Sequence, residues 1–422
     1  MRFGYFANAG ILLASAAHVS ARKVKTGLQV LQESNYSQLS GRKVIVLSNP
    51  TGVTPEMDLG VDVMFDSGAV DLVGVMGPEH GFRGAAPAGG SADTFVDPRT
   101  GLTVYDAYVA SVDTLRGYIT ESGADTVVFD IQDVGSRFYT YVWAMYDTMI
   151  AAALTNITFV VLDRPNPITG LNAWGPVLNT THSSYVGRQA IAQAHGMTAG
   201  ELAKMFVGEG WIKEAANGTD LASLSVIKMK GWERWMAWKD TGLPWIMPSP
   251  NMPNPDTALM YPGTCLFEGT SLSEGRGTTR PFELLGAPFT NDTWSATMRS
   301  LKIPHTTYRP ACFNPTTSKH VGQTFCGLQV YASPSSRRDW ASFDPVYMGV
   351  SLVWAAKTLY TLPVDDGNQT ASFHWGKSID VLGGGPLLRE SIDAGLEPEE
   401  IRERWMPALE RFREVRKGYL LY

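Results

Sequence analysis

The sequence has no run of basic residues and only a small excess of acidic side chains. It contains 35 lysine and arginine residues against 41 aspartate and glutamate residues, a formal net charge of -6. A protein that binds nucleic acid electrostatically needs clustered cations that displace the counterions of the phosphates. A nucleic-acid partner is therefore not expected.

Long apolar runs are also missing. No segment reaches the ~18 uninterrupted apolar residues of a membrane-spanning helix, because Asp147 interrupts the best candidate. We therefore predict no membrane span in the mature protein.

The N-terminus favours secretion. Arg2, the apolar stretch 6–17 and the small residues around Ala21 are typical of a signal peptide over residues 1–21, with a frayed or transit-type N-terminus as the alternative. The expectation is a secreted, extracellular glycoprotein from a eukaryotic secretory route, because the sequence has several N-glycosylation sequons. The sequon residues are Asn35, Asn156, Asn179, Asn217, Asn291 and Asn368.

Cysteine is scarce, with three residues in the chain. An oxidising compartment and the short separation favour a Cys312–Cys326 disulfide with Cys265 left as a thiol, while three buried thiols stay open as an alternative.

Cys-x-x-Cys and His-Glu-x-x-His patterns are absent and the histidines are scattered, so we predict no metal site. The sequence also lacks a Gly-x-Ser-x-Gly elbow, a Walker A motif and a Gly-x-Gly-x-x-Gly fingerprint, and we predict no cofactor.

Three apolar, strand-like runs at 70–76, 125–129 and 159–162 each end in a polar cluster. The carboxyl ends of parallel strands meet at one edge of a sheet, where ligands bind, so the clusters predict a single site and an enzyme. The residues of these clusters are Glu79, His80, Asp130, Gln132, Asp133, Asp163, Arg164 and Asn166.

Strand and helix patterns alternate up to about residue 230. Helices are predicted at 111–122 and 142–153, and Thr198 with Glu201 forms a capping box for a third. This alternation predicts an α/β fold with a mostly parallel sheet.

The stretch 243–286 is rich in proline and glycine and predicts loops that border the cleft. A strand at 328–331 and helices at 348–360 and 397–417 then predict a smaller α+β domain. The expected division is a domain at 22–255 followed by an auxiliary domain at 256–422.

Individual residues in these clusters allow two interpretations. A half-buried Glu79 suits general acid catalysis but also suits the capping of a turn, and His80 is more typical of an orienting residue than of a catalyst. Four arginines beside glycine, proline or aromatic residues indicate recognition of a planar oxyanion. Tyr139 offers a face for sugar stacking or a core contact. Ser249 and Asn251 in one loop, and Glu274, Arg276 and Thr278 in another, indicate a second wall of the cleft. The four arginines are Arg83, Arg137, Arg164 and Arg276.

Seven ordered motifs together resemble the exo-β-N-acetylmuramidase family, once known as a bacterial domain of unknown function. They are GPEHGFRG at 77–84, FDIQDVGSRFYTY at 129–141, LDRPNP at 162–167, HGMT at 195–198, PSPNMP at 248–253, SEGRGTT at 273–279 and YLLY at 419–422.

The resemblance implies a Rossmann-like catalytic domain, an auxiliary domain, and release of β-linked N-acetylmuramic acid from the non-reducing end of peptidoglycan fragments. It places the principal acid on Glu79, with His80 positioning it. The candidates for the second carboxylate are Asp130, Asp133 and Glu274, in that order, although the substrate's acetamido group is an alternative nucleophile. The arginines would bind the lactyl carboxylate.

The sequence leaves two alternative functions open. A non-catalytic protein that binds muropeptides would show binding without turnover. An esterase or amidase acting on muropeptides would need a nucleophile, and the missing serine elbow argues against its serine form. The expected partners are peptidoglycan-derived sugars or muropeptides, and the sequence leaves the oligomeric state open.

Overall fold

A computed structural model describes residues 24–84, 86–87, 89–361 and 372–422. The predicted signal peptide and the sequon at Asn368 lie outside these residues. We call the described residues up to 254 the first part of the chain and those from 255 onward the second part. Nine strands belong to the first part. They are β1 (Lys43–Ser48), β2 (Asp71–Gly77), β3 (Phe95–Val96), β4 (Thr103–Asp106), β5 (Thr126–Asp130), β6 (Thr158–Leu162), β7 (Trp174–Val177), β8 (Ala192–Ala194) and β9 (Ser223–Ile227).

Seven of these strands form one sheet in the order β3-β4-β2-β1-β5-β6-β9, while β7 and β8 pair as a separate antiparallel hairpin. Every pairing in the large sheet is parallel except that of β3 with β4. Counted along the chain, its six parallel strands lie in the order 3-2-1-4-5-6, which is the Rossmann order. The predicted α/β, Rossmann-like class is confirmed.

The strands form because their apolar residues can be buried on both faces of the sheet. Val44 and Val46 of β1 pack into one apolar cluster, and Ile45 and Leu47 pack into another. Such two-sided burial needs helices on both faces, which parallel crossovers supply. The helices of this part are α1 (Gly27–Glu33), α2 (Gly60–Ser67), α3 (Val112–Ser122), α4 (Tyr141–Leu154), α5 (Ala199–Gly208), α6 (Trp211–Ala215) and α7 (Trp238–Thr241).

The predicted helix starts are confirmed in detail. The Ser111 hydroxyl accepts the N–H of Thr114 at 3.1 Å at the start of α3. At the start of α5, the Thr198 hydroxyl accepts the N–H of Glu201, whose carboxylate accepts the N–H of Thr198 at 3.0 Å. This reciprocal pair is the capping box.

The second part combines a small antiparallel sheet with helices. Its strands β10 (Leu284–Gly286), β11 (Thr306–Phe313) and β12 (Phe325–Ala332) lie in the order β10-β12-β11. Cys312 and Cys326 face each other in the β11–β12 register and form the predicted disulfide, and Cys265 is a buried free thiol. The helices are α8 (Pro255–Thr264), α9 (Thr293–Ser300), α10 (Arg337–Ser342), α11 (Pro345–Tyr360), α12 (Ile379–Gly383), α13 (Leu387–Asp393) and α14 (Pro398–Arg416).

The prediction of a loop-heavy stretch at 243–286 is wrong in its central third, where α8 and a 3-10 helix at Cys265–Gly269 lie. Pro255 occupies the first turn of α8, where no backbone N–H is needed, and the Asn254 side chain caps the N–H of Thr257 at 2.9 Å. Gly263 faces Gly349 of α11 so closely that a Cβ atom would lie 2.8 Å from its Cα. Here proline begins a buried helix, and glycine allows that helix to pack closely against α11.

The two parts share one apolar core. A single buried cluster contains Phe129 and Phe159 of the large sheet as well as Leu285, Trp294 and Trp405 of the second part. The division at residue 255 stays a prediction, because the parts pack as one body. No described helix is long and apolar enough to cross a membrane.

Candidate functional site

The site lies where the strand order reverses, at the carboxyl ends of β2, β1 and β5. Leu47 of β1 is level with Met76 of β2, and Ser48 is level with Asp130 of β5. The residues that follow these strands therefore emerge side by side. In open α/β sheets this switch point is where ligands bind.

Glu79 is two residues beyond β2 and is half buried. One carboxylate oxygen accepts the Thr140 hydroxyl at 2.8 Å, and the other accepts the N–H of Gly89 at 2.9 Å. Thr140 immediately precedes α4, so Glu79 is fixed between a central helix and its own loop.

His80 organises the loop that follows Glu79. Its Nδ1 lies 3.0 Å from the carbonyl of Ala86 and 3.2 Å from that of Pro87, so it must donate to them. The backbone of His80 has a φ of +71°, an uncommon value for a residue with a side chain. In the described structure, His80 holds the loop around Glu79 and does not bond to the Glu79 carboxylate.

Two tyrosines connect Glu79 with Asp133. Burial raises the pKa of Tyr139 well above its usual value, and the charges of Tyr141, Glu79 and Asp133 raise it further. Burial and then the charge of Glu79 likewise raise the pKa of Tyr141, whose hydroxyl donates to the carbonyl of Pro248. The charges of both carboxylates raise the pKa of both tyrosines, and Thr140, which lies between the tyrosines in the sequence, bonds to Glu79, so we treat these four residues as one cluster.

Asp133 has one engaged and one free oxygen. Its Oδ2 accepts the N–H of Gly135 at 2.7 Å and lies 3.3 Å from Nε2 of His195. Gly135 has a φ of +84°, and a Cβ there would lie 2.6 Å from Oδ1 of Asn166, so the turn after Asp133 requires glycine. The Asp133 Oδ1 is buried without a hydrogen-bond partner among the described residues.

Other buried polar atoms of this region also have no partner in the described part of the chain. Buried polar atoms are nearly always hydrogen-bonded, so a group of free ones indicates a ligand site. Asn49 was missed from the sequence, although it directly follows β1 and the rule applied to the other strand ends would have found it. The free atoms are Asn49 Nδ2, Gln132 Oε1, Asp133 Oδ1 and the Tyr139 hydroxyl.

Asp130 and Arg164 bind each other. Arg164 donates to both oxygens of Asp130, at 2.6 and 3.0 Å, and both side chains are almost fully buried. Its second contact is the carbonyl of Val53 at 3.2 Å. Gln132 donates to the carbonyls of Asp133 and Pro165, which leaves only its oxygen free.

Asp163 and Asn166 bind other protein groups behind the site. Asp163 accepts the Thr198 hydroxyl at 2.8 Å, the N–H of Gly200 at 2.8 Å and the Tyr422 hydroxyl at 2.7 Å. Burial raises the pKa of Asp163 to about 6. Asn166 donates to the carbonyl of Met197 at 3.0 Å.

Arg83 and Arg137 also have protein partners. Arg83 bonds to both carboxylates of Asp62 and Asp97 and holds the pKa of Asp97 at about 2. Arg137 is fully buried and donates to the carbonyl of Leu382 at 2.7 Å, and burial lowers its pKa to about 10. The predicted ligand contacts of Arg83, Arg137 and Arg164 stay predictions.

The second wall comes from the loops at 248–253 and 273–279. Glu274 is buried and accepts the Lys319 ammonium at 3.0 Å, while Arg276 donates to Glu268 at 2.6 Å. Arg276 stacks on Phe282, whose ring packs against Tyr261, and Tyr261 in turn packs against Tyr139. Ser249 accepts the N–H of Asn251 at 3.3 Å.

The two walls enclose an open cleft of about 960 Å³. One side is the loop after Glu79, with Gly84 and Pro87, and the other includes Asn251 and Thr278. Every described residue that lines this cleft is uncharged. The lining residues are Gly84, Ala86, Pro87, Pro250, Asn251, Gly277, Thr278, Thr279, Leu284, Cys312, Phe313, Asn314, Thr316 and Thr317.

Comparison with known proteins gives a consistent relationship over nearly the whole chain. Residues 44–256 match the family described as exo-beta-N-acetylmuramidase NamZ, N-terminal, and residues 259–422 match its C-terminal counterpart. The peptidoglycan beta-N-acetylmuramidase NamZ of Bacillus subtilis strain 168 is 40% identical over 401 residues, which are 95% of this chain and 92% of that protein.

Two crystal structures of DUF1343 family proteins from Bacteroides fragilis have the same fold. The first has a TM-score of 0.82 at 32% identity and covers 95% of this chain and 99% of its own. The second has a TM-score of 0.73 at 29% identity, with 94% and 99% covered. From its fold, its switch-point site and these matches, the chain belongs to the exo-β-N-acetylmuramidase NamZ family.

Proposed function

We propose that this protein is a glycosidase that releases β-linked N-acetylmuramic acid from the non-reducing end of peptidoglycan fragments. The observation that carries the proposal is the half-buried Glu79 carboxylate, held between Thr140 and Gly89 in one cluster with Asp133. Glycosidases use two carboxyl groups around the scissile bond, one of which protonates the leaving oxygen. Family membership supports the substrate class.

Glu79 has the role of general acid in this proposal. Asp133 is the second carboxylate and orients the nucleophile, either water or the acetamido group of the substrate. Asp130, which the sequence placed first, is bound bidentately by Arg164, and Glu274 is bound by Lys319. Asp133 is preferred because it is the candidate with a free oxygen.

The substrate contacts follow from the free atoms and the cleft. Asn49, Gln132 and Tyr139 would bind the hydroxyl and acetamido groups of the terminal sugar. Arg276 is our candidate for the lactyl carboxylate, because it lies on the second wall and connects to Tyr139 through two aromatic rings. The uncharged cleft suits the neutral sugar that is left after cleavage.

Secretion and glycosylation form the second part of the proposal. The asparagines of all five sequons in the described residues are exposed, as an oligosaccharide requires. A secreted protein of this kind would act on bacterial wall material outside the cell. A loss of apparent mass on enzymatic deglycosylation of the secreted protein tests this part.

The decisive assay uses chromogenic glycosides of β-linked N-acetylmuramic acid and of N-acetylglucosamine, which lacks the lactyl group. We expect the protein to cleave only the first. Glu79→Gln should lower turnover by about 10²- to 10⁴-fold with binding largely kept, because the leaving oxygen loses its acid.

Glu121→Gln, at an exposed glutamate of α3, is the matched control and should retain full activity. Unchanged turnover in Glu79→Gln would remove the role given to Glu79. Binding of muropeptides without turnover by the wild type would indicate a binding protein, and release of peptide or lactate would indicate an amidase or esterase.

A further inference from the structure

His195 is a fully buried histidine that contacts the candidate second carboxylate. It follows β8, and its Nε2 lies 3.3 Å from Oδ2 of Asp133. The contact does not meet the geometry of a hydrogen bond, and Nε2 has no hydrogen-bond partner among the described residues. Catalytic hydrogen bonds are often long in a free enzyme and tighten when substrate binds.

The hydrogen bonds of the ring determine its tautomer. Nδ1 of His195 accepts the backbone N–H of Met197 at 3.2 Å, so this nitrogen carries no proton. The ring proton is then on Nε2, the nitrogen that lies 3.3 Å from the carboxylate of Asp133. His195 could donate to Asp133 after a small movement of either side chain.

The backbone around His195 is held from two directions. Gly196 has a φ of +60°, and a Cβ there would lie 2.0 Å from the carbonyl of Asn172, so no larger residue fits. Arg416 of α14 donates to the carbonyls of Gly196 at 2.9 Å and His195 at 3.3 Å. The second part of the chain thus fixes the ring that faces Asp133.

The charged and titratable groups around this pair come from several elements. Glu79 follows β2, Tyr139 and Tyr141 surround the start of α4, and Arg276 lies on the second wall. Arg416 approaches the backbone of His195 from α14. His195 is the histidine in contact with the Asp133 carboxylate.

We propose that His195 is a positioning residue that holds Oδ2 of Asp133 through its Nε2–H, so that Oδ1 stays directed at the substrate. This inference rests on the proposed glycosidase function and adds a residue to it. A misplacement of about 1 Å in a catalytic group can lower the rate about 10²-fold. His195 would therefore affect turnover without touching the substrate.

The test compares His195→Phe, which removes both ring nitrogens, with His195→Gln, whose amide can place an N–H near the Nε2 position. We expect His195→Phe to lower kcat about 10²-fold with little change in KM. His195→Gln should restore much of the lost kcat. His374→Phe and His374→Gln, at an exposed histidine, are the matched controls and should behave like the wild type.

A double-substitution cycle separates positioning from general destabilisation. If His195 acts through Asp133, His195→Phe should add little to the loss already caused by Asp133→Asn. Losses that multiply, or a kcat loss that simply follows the loss of folded protein and is not restored in His195→Gln, would overturn the inference. If the phenylalanine variant does not fold, His195→Asn replaces it, since its short amide does not reach the Nε2 position.

Nitrogen NMR of ¹⁵N-histidine-labelled protein provides a readout that is independent of turnover. We expect a protonated Nε2 and a bare Nδ1 for His195, with signals that shift in Asp133→Asn. A protonated Nδ1, or nitrogen signals that are the same in the wild type and in Asp133→Asn, would refute the contact between His195 and Asp133. A wild-type protein that shows the expected signals but does not cleave the muramic acid glycoside would overturn the proposed function alone.

Discussion

At the residue scale, two aspartates at the end of β5, Asp130 and Asp133, differ in what surrounds them. Asp130 is locked to Arg164 by two hydrogen bonds in a site with almost no exposure, whereas Asp133 keeps a free oxygen. A buried ion pair is costly to break, because removing one partner leaves the other charge buried and unpaired. The first aspartate is thus structural and the second is available for chemistry.

This contrast predicts opposite phenotypes for the same substitution. Asp130→Asn should lower the free energy of unfolding by about 3–5 kcal/mol, because Arg164 loses its counter-charge. Asp133→Asn should mainly lower kcat, because asparagine can still accept the N–H of Gly135. Urea unfolding and steady-state kinetics measure the two effects.

The control for the ion pair is the double variant Asp130→Asn/Arg164→Met, which removes both charges. It should be more stable than Asp130→Asn alone. Equal stability of Asp130→Asn and Asp133→Asn would contradict the structural role of the pair.

At the element scale, side-chain caps fix the starts of several helices. The cap of α11 is an aspartate, Asp344, whose carboxyl group can titrate. The Oδ1 of Asp344 accepts the N–H groups of Val346 and Tyr347 at 3.0 and 2.9 Å. The Asp344 side chain is buried, and the nearest guanidinium, that of Arg402, is 3.9 Å from Oδ2. Burial raises the pKa of Asp344 to about 6.

The raised pKa makes the stability of α11 depend on pH. The unfolded carboxyl has a pKa of ~3.9, so the folded state binds more protons between pH 4 and 6. The contribution of Asp344 to stability is therefore complete below about pH 4 and is lost as the pH rises through about 6. Asp344→Asn keeps an acceptor for the two N–H groups and does not titrate.

We therefore expect the stability of Asp344→Asn, relative to the wild type, to increase with pH. The difference in the free energy of unfolding should grow by about 1–3 kcal/mol from pH 4 to pH 7. Denaturant unfolding at the two pH values measures it. Asp113→Asn, at an exposed residue in the first turn of α3, should give a nearly constant difference. A constant difference for Asp344→Asn as well would show that its carboxyl titrates normally.

At the scale of the whole molecule, the end of the chain supports the edge of the first sheet. The hydroxyl of the last residue, Tyr422, donates to Asp163 at 2.7 Å and accepts the N–H of Met229 at 2.9 Å. The N–H of Leu421 donates to Glu201 of α5 at 2.8 Å. The second part of the chain thus completes the first, in line with their common core.

Removing one hydroxyl tests this connection. Tyr422→Phe should lower the free energy of unfolding by about 1.5–3 kcal/mol, because the buried Asp163 loses a donor. Tyr419→Phe, whose hydroxyl bonds to the exposed Glu209, is the control and should change stability by less. Thermal or urea unfolding measures both. Equal decreases in the free energy of unfolding for the two variants would show that the buried contact with Asp163 stabilises the protein no more than the exposed contact with Glu209.

The sequence by itself determined the elements and the strand ends. Buried β-branched runs define the parallel strands because each strand must be apolar on both faces, and local side-chain caps define the starts of α3 and α5. The ordered motifs identified the family, and the position of Glu79 after β2 follows from the same local pattern. The buried helix α8 was missed because proline and glycine break a helix only where the backbone or a neighbour cannot accommodate them.

Only the tertiary structure decided which polar side chains are free to act. Asp130 meets Arg164, which follows β6, and Glu274 meets Lys319, both through contacts between residues far apart in sequence. His195 reaches Asp133 because β8 and α14 hold it there. Strand order and packing set these partners, and the pattern along the chain contains no signal for a contact made only when distant segments fold together.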